Sequence, residues 1–129
     1  MLARANRIVR GADYRNIVRR GRKCATAHVV VSVLTQDATD QPSRFGFIVS
    51  KAVGNAVTRN RVRRRLKAIA HDGLMPTGPT GYDVVVRALP AAAQAAWPTL
   101  FADVSHGFER GVRAAHGSRR SAHRSLENR

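Results

Sequence analysis

Between positions 59 and 67 the chain carries Arg59, Arg61, Arg63, Arg64, Arg65 and Lys67, with Asn60 among them. A guanidinium keeps its charge and presents a flat fork of N–H donors that fits phosphate oxygens two at a time. On a 3.6-residue wheel Val62, Leu66 and Ile69 form an apolar stripe. Arg59, Arg63 and Lys67 lie along one flank, Arg61 and Arg65 along the other, and Asn60 and Arg64 point away from the core. Such a helix is basic on every side except the buried one. Like charges four residues apart oppose helix formation by roughly a few tenths of a kcal/mol each. Cations near a helix N-terminus also meet the unfavourable end of the dipole. No carboxylate occurs between Asp40 and Asp72 to offset them. A solvated face would mix in acids. This conflict is not explained by folding and points to function, because phosphates docking here would turn the repulsion into attraction.

Other chemistries find less support. A two-metal phosphodiesterase needs carboxylates that converge. The acids Asp13, Asp37, Asp40, Asp72, Asp83, Asp103, Glu109 and Glu127 are scattered, with none at ligand spacing near the basic run. His28, His71, His106, His116 and His123 form no H-x-x-x-H or H-E-x-x-H pair. There is no phosphate-cradling Gly-rich loop with Lys and Ser/Thr. Among the rings, Phe45, Phe47, Phe101, Phe108 and Trp97 are assigned to the core, and Tyr14 is the best candidate for stacking on a base. With so few aromatics, phosphate contact should dominate over base readout.

The whole chain carries the same bias. It has 129 residues and a formal net charge of +15, with lysine only at Lys23, Lys51 and Lys67. The length suits one domain with a modest core. A surplus of this size repels itself and calls for a polyanionic partner, nucleic acid before a membrane surface. No apolar run approaches the roughly 20 residues of a membrane-spanning helix, and MLARANRIVRG lacks the apolar segment of a signal peptide. Cys24 is the single cysteine, which rules out an internal disulfide and reads as a small apolar filler beside a strand. A cytoplasmic location is expected.

The elements that must position the basic run follow from periodicity. Residues 1–10 read as a basic arm. Asp13 is placed to cap a short helix with Tyr14, Ile17 and Val18 on one side, ended by Gly21. Residues 27–34 and 44–50 read as strands, the second with Phe45, Phe47 and Val49 on one face and Ile48 on the other, and the two are expected to pair as a hairpin. Asn55 should cap a helix running to about His71. Residues 73–81 form a Gly/Pro loop, and 82–88 a strand buried on both faces. Pro98 suits the first turn of a last helix with Phe101, Val104, Phe108 and Val112 facing the core. Residues 117–129 read as a basic disordered tail, leaving 1–116 as the domain. The order is αββαβα, an α+β sandwich on a small mixed sheet. Strand chirality alone predicts a right-handed βαβ crossover.

The segment GFIVSKAVGNAVTRNRVRRRLK, residues 46–67, resembles the signature of the bacterial ribonuclease P protein family: a strand ending in Ser-Lys, then Gly-Asn-Ala-Val, then Arg-Asn-Arg and further basic residues. RIVRGADYRNIVRRGRK resembles the family's N-terminal helix and YDVVVRALP its later strand, so the likeness covers most of residues 7–115. It implies an α/β sandwich with a left-handed βαβ crossover, against the right-handed expectation. It implies a protein that does not cut RNA itself but assists a catalytic RNA working with Mg²⁺, removing the 5′ leader of precursor tRNA, in a 1:1 ribonucleoprotein. Arg59, Asn60, Arg61, Arg63, Arg64, Arg65 and Lys67 would meet the catalytic RNA. Tyr14, Val18, Ser50, Lys51 and Arg87 would line a cleft for the single-stranded leader. Three positions depart from the family pattern: Ala52 replaces a second lysine, Val18 an aromatic, and Arg87, Ala88, Leu89 and Pro90 stand where alanine, two basic residues and proline are usual.

The alternative reading is a general basic RNA-binding or ribosome-associated protein, which would bind unrelated structured RNAs equally well. A stand-alone nuclease lacks converging acids, and a DNA reader would have little beyond Asn60 to address bases.

Overall fold

The computed structural model describes residues 3–37, 39–76 and 78–127. Helix α1 spans Gly11–Arg20, strands β1 and β2 Arg22–Ala25 and Val29–Thr35, and β3 Arg44–Ile48. Helix α2 spans Ala56–Ile69, β4 Tyr82–Ala88 and α3 Trp97–Glu127. Short helical turns at Arg4–Asn6, Lys51–Val53, Ala70–Leu74 and Pro90–Gln94 complete the chain path. The four strands form one mixed sheet in the order β1-β2-β4-β3, with β4 antiparallel to β2 and parallel to β3. The expected α+β sandwich on a small mixed sheet is therefore present, with one strand more than the sequence suggested.

Alternation along the strands divides the core in two. Val84, Val86 and Ala88 join Val29, Val31, Val33 and Phe45 on one face, packed under Val62, Leu66 and Ile69 of α2 and Leu100, Val104 and Phe108 of α3. Val85 faces the other way and meets Ile8, Ile17, Tyr14, Val18, Leu34 and Ile48. The sheet thus lies between α1 on one side and α2 with α3 on the other. As expected, β4 is buried on both faces, Phe45, Phe47 and Val49 share a face, and Ile48 takes the opposite one. Glycine shapes both layers. A Cβ at Gly107 or Gly111 would stand 2.7 or 2.5 Å from the Cγ2 of Val31 or Val33, so the bare backbone of α3 lies directly on β2. A Cβ at Gly46 would stand 2.5 Å from the Tyr14 ring, so β3 leaves room there for α1.

Several expectations are corrected. Strands β2 and β3 do not pair as a hairpin, because β4 lies between them. A strand apolar on both faces belongs at the centre of a sheet, and β4 takes that place. The hairpin partner of β2 is β1, reached through a turn in which Thr26 N–H donates to the Val29 carbonyl at 2.8 Å. Cys24 lies within β1 rather than beside a strand. Residues 1–10 are not a free arm as far as they are described. Asn6 donates to the Ser43 carbonyl at 3.0 Å, Ile8 N–H donates to the Phe45 carbonyl at 3.0 Å, and Ile8 is buried. Asp13 does not cap α1, since Arg10 is the N-cap without a side-chain bond and Asp13 falls in the first turn, 3.6 Å from Arg44. The helix expected to end near His71 is α2 followed by the π-helical turn Ala70–Leu74. The backbone assigned to α3 runs past residue 117 to Glu127, and residues 128 and 129 lie outside the described residues. Among the residues whose burial is described, Ala115 is the last buried side chain of α3.

Candidate nucleic-acid interface

The basic helix is entered through two local devices. Gly54, with φ of +156°, occupies backbone space closed to side chains and turns the chain from Lys51–Val53 into α2. Asn55 then caps the helix as predicted, its Oδ1 accepting from Thr58 N–H at 2.9 Å. Val62, Leu66 and Ile69 are fully buried, which fixes the rotation of α2 and turns its charges outward.

The two flanks match the helical wheel. On one side Arg61 Nη2 donates to the Ala93 carbonyl at 2.8 Å and Arg65 Nη1 to the Ala95 carbonyl at 2.9 Å. On the other, Arg63 donates to Asn60 Oδ1 at 3.0 Å and to the Val49 carbonyl at 3.4 Å. Arg64 and Lys67 are exposed, and Arg59 is half-buried with an Nε that finds no acceptor among the described residues. None of the ion pairs among the described residues involves α2. Val57, Asn60, Arg63, Arg64 and Lys67 border a shallow concavity of about 460 Å³, and Val57 is 77% exposed beside them. Arg61, Arg63 and Arg65 are thus steadied by neutral carbonyls, which orient them and leave their charge uncompensated. That is a surface suited to a polyanion.

The second group of predicted residues lies on the opposite face of the sheet. Val18 is half-buried in the cluster under α1. Tyr14 is packed rather than presented: its hydroxyl donates to the Ile8 carbonyl at 3.2 Å and accepts from Phe47 N–H at 3.3 Å, and its ring covers Gly46. The residue as a whole is half-buried. Arg87 is exposed on the α1 side of β4, paired in register with Ile48 of β3 and Val30 of β2. Two and three residues beyond Ile48 stand Ser50 and Lys51, both exposed. Ser50 and Lys51 thus follow the β3 residue that pairs with Arg87, and Tyr14 and Val18 pack with that residue, Ile48, under α1.

Two features were not anticipated. Asp83, in an apolar strand, is buried and accepts from Arg44 Nε at 2.9 Å, Arg44 Nη2 at 2.7 Å and Gln36 Nε2 at 2.9 Å. The hydrogen bond to Asp83 raises the Arg44 pKa, and the two bonds to that carboxylate tie the guanidinium to β4. An acid interrupting a β-branched run was the available signal. Trp97, assigned to the core, is instead 38% exposed. Among the described residues no three His, Cys, Asp or Glu side chains gather to hold a metal. No helix among them is long and apolar enough to cross a membrane.

Comparison with known proteins agrees with this geometry. The Ribonuclease P family model matches residues 2–111. The chain is 54% identical over 113 residues to the ribonuclease P protein component of Clavibacter michiganensis, covering 88% of this chain and 98% of that one. It is 48% identical over 109 residues to the same component of an Arthrobacter species, covering 84% and 79%. Its fold is similar to that of the Staphylococcus aureus RNase P protein, with a TM-score of 0.72 at 26% identity over 82% of this chain and 94% of that one.

Proposed function

Because the chain belongs to the ribonuclease P protein family, we propose that its two faces divide the work of tRNA maturation, α2 docking the catalytic RNA and the α1 side of the sheet guiding the leader of precursor tRNA. The chain is the protein subunit of ribonuclease P, the endoribonuclease that produces the mature tRNA 5′ end, and ribonuclease P RNA is its partner and carries the catalysis. Our reading assigns Arg59, Asn60, Arg61, Arg63, Arg64, Arg65 and Lys67 to that RNA. It assigns Ser50, Lys51 and Arg87 to leader phosphates, with Tyr14 and Val18 as the wall of the cleft. One protein meets one RNA, in the cytoplasm where both RNAs are made.

The observation that carries the assignment is the state of α2: six cations in nine residues with no carboxylate paired to any of them among the described residues. Protein of this kind supplies charge neutralisation, which lets two polyanions, the catalytic RNA and the precursor, approach each other. It lowers the demand for bulk cation and steadies the leader, while bond cleavage stays with the RNA. Support for the cleft is the register of Arg87 beside Ile48, which puts its charge on the same face as α1.

Reconstitution tests both halves. The chain alone should leave precursor tRNA uncut; adding the cognate RNA at moderate Mg²⁺ should yield the mature 5′ end faster than RNA alone. Arg59→Ala with Arg61→Ala should weaken assembly with the catalytic RNA. Arg87→Ala should weaken binding of precursor relative to mature tRNA with assembly retained. Unchanged assembly in the first variant, or unchanged discrimination in the second, overturns the respective assignment.

A further inference from the structure

We infer that Trp97, at the start of α3, is a stacking platform for an unpaired base of the catalytic RNA, fed by the Arg61 and Arg65 flank of α2. The inference rests on the reading of α2 as the face that meets that RNA.

Trp97 is the only exposed Phe, Tyr or Trp ring among the described residues, at 38%. Its position is fixed rather than free. The ring stands 6.3 Å from that of Phe101 at an interplanar angle of 49°, one helical turn further along α3. Phe101 is held in turn against Gly73, where a Cβ would come within 2.4 Å of its ring. Trp97 therefore has one side buttressed while about two-fifths of its surface stays open to solvent. The exposed part of an indole is a large apolar surface whose burial against a partner is favourable.

The neighbouring charges show what the ring is placed to receive. Arg65 donates to the carbonyl of Ala95, and Arg61 to that of Ala93. Ala95 is two residues before Trp97, so their Cα atoms are at most about 7.6 Å apart. Neither arginine is paired with a carboxylate among the described residues. The stretch between them and the ring, Ala95 and Ala96, carries no side chain long enough to hold a partner away. Guanidiniums anchored two and four residues before a part-exposed indole supply the two components of single-stranded nucleic-acid recognition, charge for the backbone and a π-face for the base. A fully paired helix has no base to give; an unpaired or bulged nucleotide does.

The chain holds a single tryptophan, so its emission reports on this position alone. We would titrate cognate ribonuclease P RNA into the full chain, following emission and acrylamide quenching, with assembly measured separately by filter binding. Emission should fall and acrylamide access should drop as the complex forms. A perfectly paired RNA duplex should bind through charge without changing emission. Trp97→Ala should weaken assembly about ten-fold, the scale of one lost base–aromatic stack, and Trp97→Phe should stay within about two-fold of wild type. Unchanged emission and access in an assembled complex, equal quenching by the duplex, or wild-type affinity in the Ala variant overturns the platform and leaves the role of α2 standing. Failure of the wild-type chain to assemble overturns the α2 reading itself. If Trp97→Ala does not fold, the wild-type emission and the Phe variant decide the matter.

Discussion

At the scale of single residues, the charges on α2 differ in how far they are committed to the protein. Arg61, Arg63 and Arg65 each donate to a carbonyl of their own chain, whereas Arg64 and Lys67 stand exposed. Removing an exposed cation should take away one phosphate contact and little else. Arg64→Ala and Lys67→Ala are each expected to lower the magnitude of the log–log salt slope of RNA binding by about one, with thermal stability unchanged. Salt titrations of the two variants against wild type measure this directly. Asp83 behaves differently, because it is buried and holds Arg44 by two hydrogen bonds. Asp83→Ala should cost about 2 kcal/mol in urea denaturation, with the salt slope unaltered. What the sequence disclosed at this scale was the helical wheel: Val62, Leu66 and Ile69 alone fix which charges face outward. It did not disclose that Tyr14 is bonded through its hydroxyl to Ile8 and Phe47, because those contacts depend on the N-terminal segment lying along β3. The exposure of Trp97 was hidden for a related reason: an aromatic at a helix start looks the same whether a neighbouring element covers it or not.

At the scale of elements, the glycine at position 46 decides how α1 sits. Gly46→Ala puts a methyl group into the Tyr14 ring, and overpacking of this kind costs about 1–3 kcal/mol. We expect lower stability in chemical denaturation and a weakened preference for precursor over mature tRNA, with binding through α2 retained. The other layer is pinned by His28 Nδ1 and Asp103 Oδ2, 2.5 Å apart, which ties the turn before β2 to α3. The hydrogen bond from His28, assisted by Thr26, lowers the Asp103 pKa below the ordinary carboxylate value. A carboxyl whose pKa is depressed by folding stabilises the fold above its unfolded value and loses that contribution as pH falls through the folded one. The stability gap between wild type and Asp103→Asn should therefore be steady near neutrality and close below about pH 4. Denaturation curves at stepped pH test this; a gap that widens on acidification would count against it. The helices were legible because each has an apolar stripe, and the Asn55 cap is a local event within four residues. Strand β1 was not, since its four residues are mostly exposed and carry no alternation. The pairing of β2 with β3 failed because nearness in sequence favours a hairpin, while the burial of β4 on both faces, itself read correctly, already required that strand to lie between two others.

At the scale of the molecule, the excess of +15 is distributed over both sides of the sheet, with α2 on one and Arg87 on the other. If about six phosphates are neutralised, binding to a single strand should follow a salt slope of roughly −4. A slope near zero would show that the arginines are not the contact surface. The family resemblance supplied the whole-molecule function that charge alone left open between a dedicated subunit and a general RNA binder. Charge gives the class of partner, and the Ser-Lys to Arg-Asn-Arg segment gives its identity.

The order of strands has a consequence for how the protein is born. Strand β4 occupies the middle of the sheet, yet it is the last strand synthesised, after both of its neighbours and the whole of α2. While residues up to about 80 leave the ribosome, β2 and β3 have no common partner, and the arginine helix has no sheet to lie on. Folding must wait for a strand far along the chain, an entropic demand that slows it. During that interval the nascent segment is a loose polycation beside ribosomal RNA, and a stop before residue 82 would release a fragment with charge for every RNA and a shape for none.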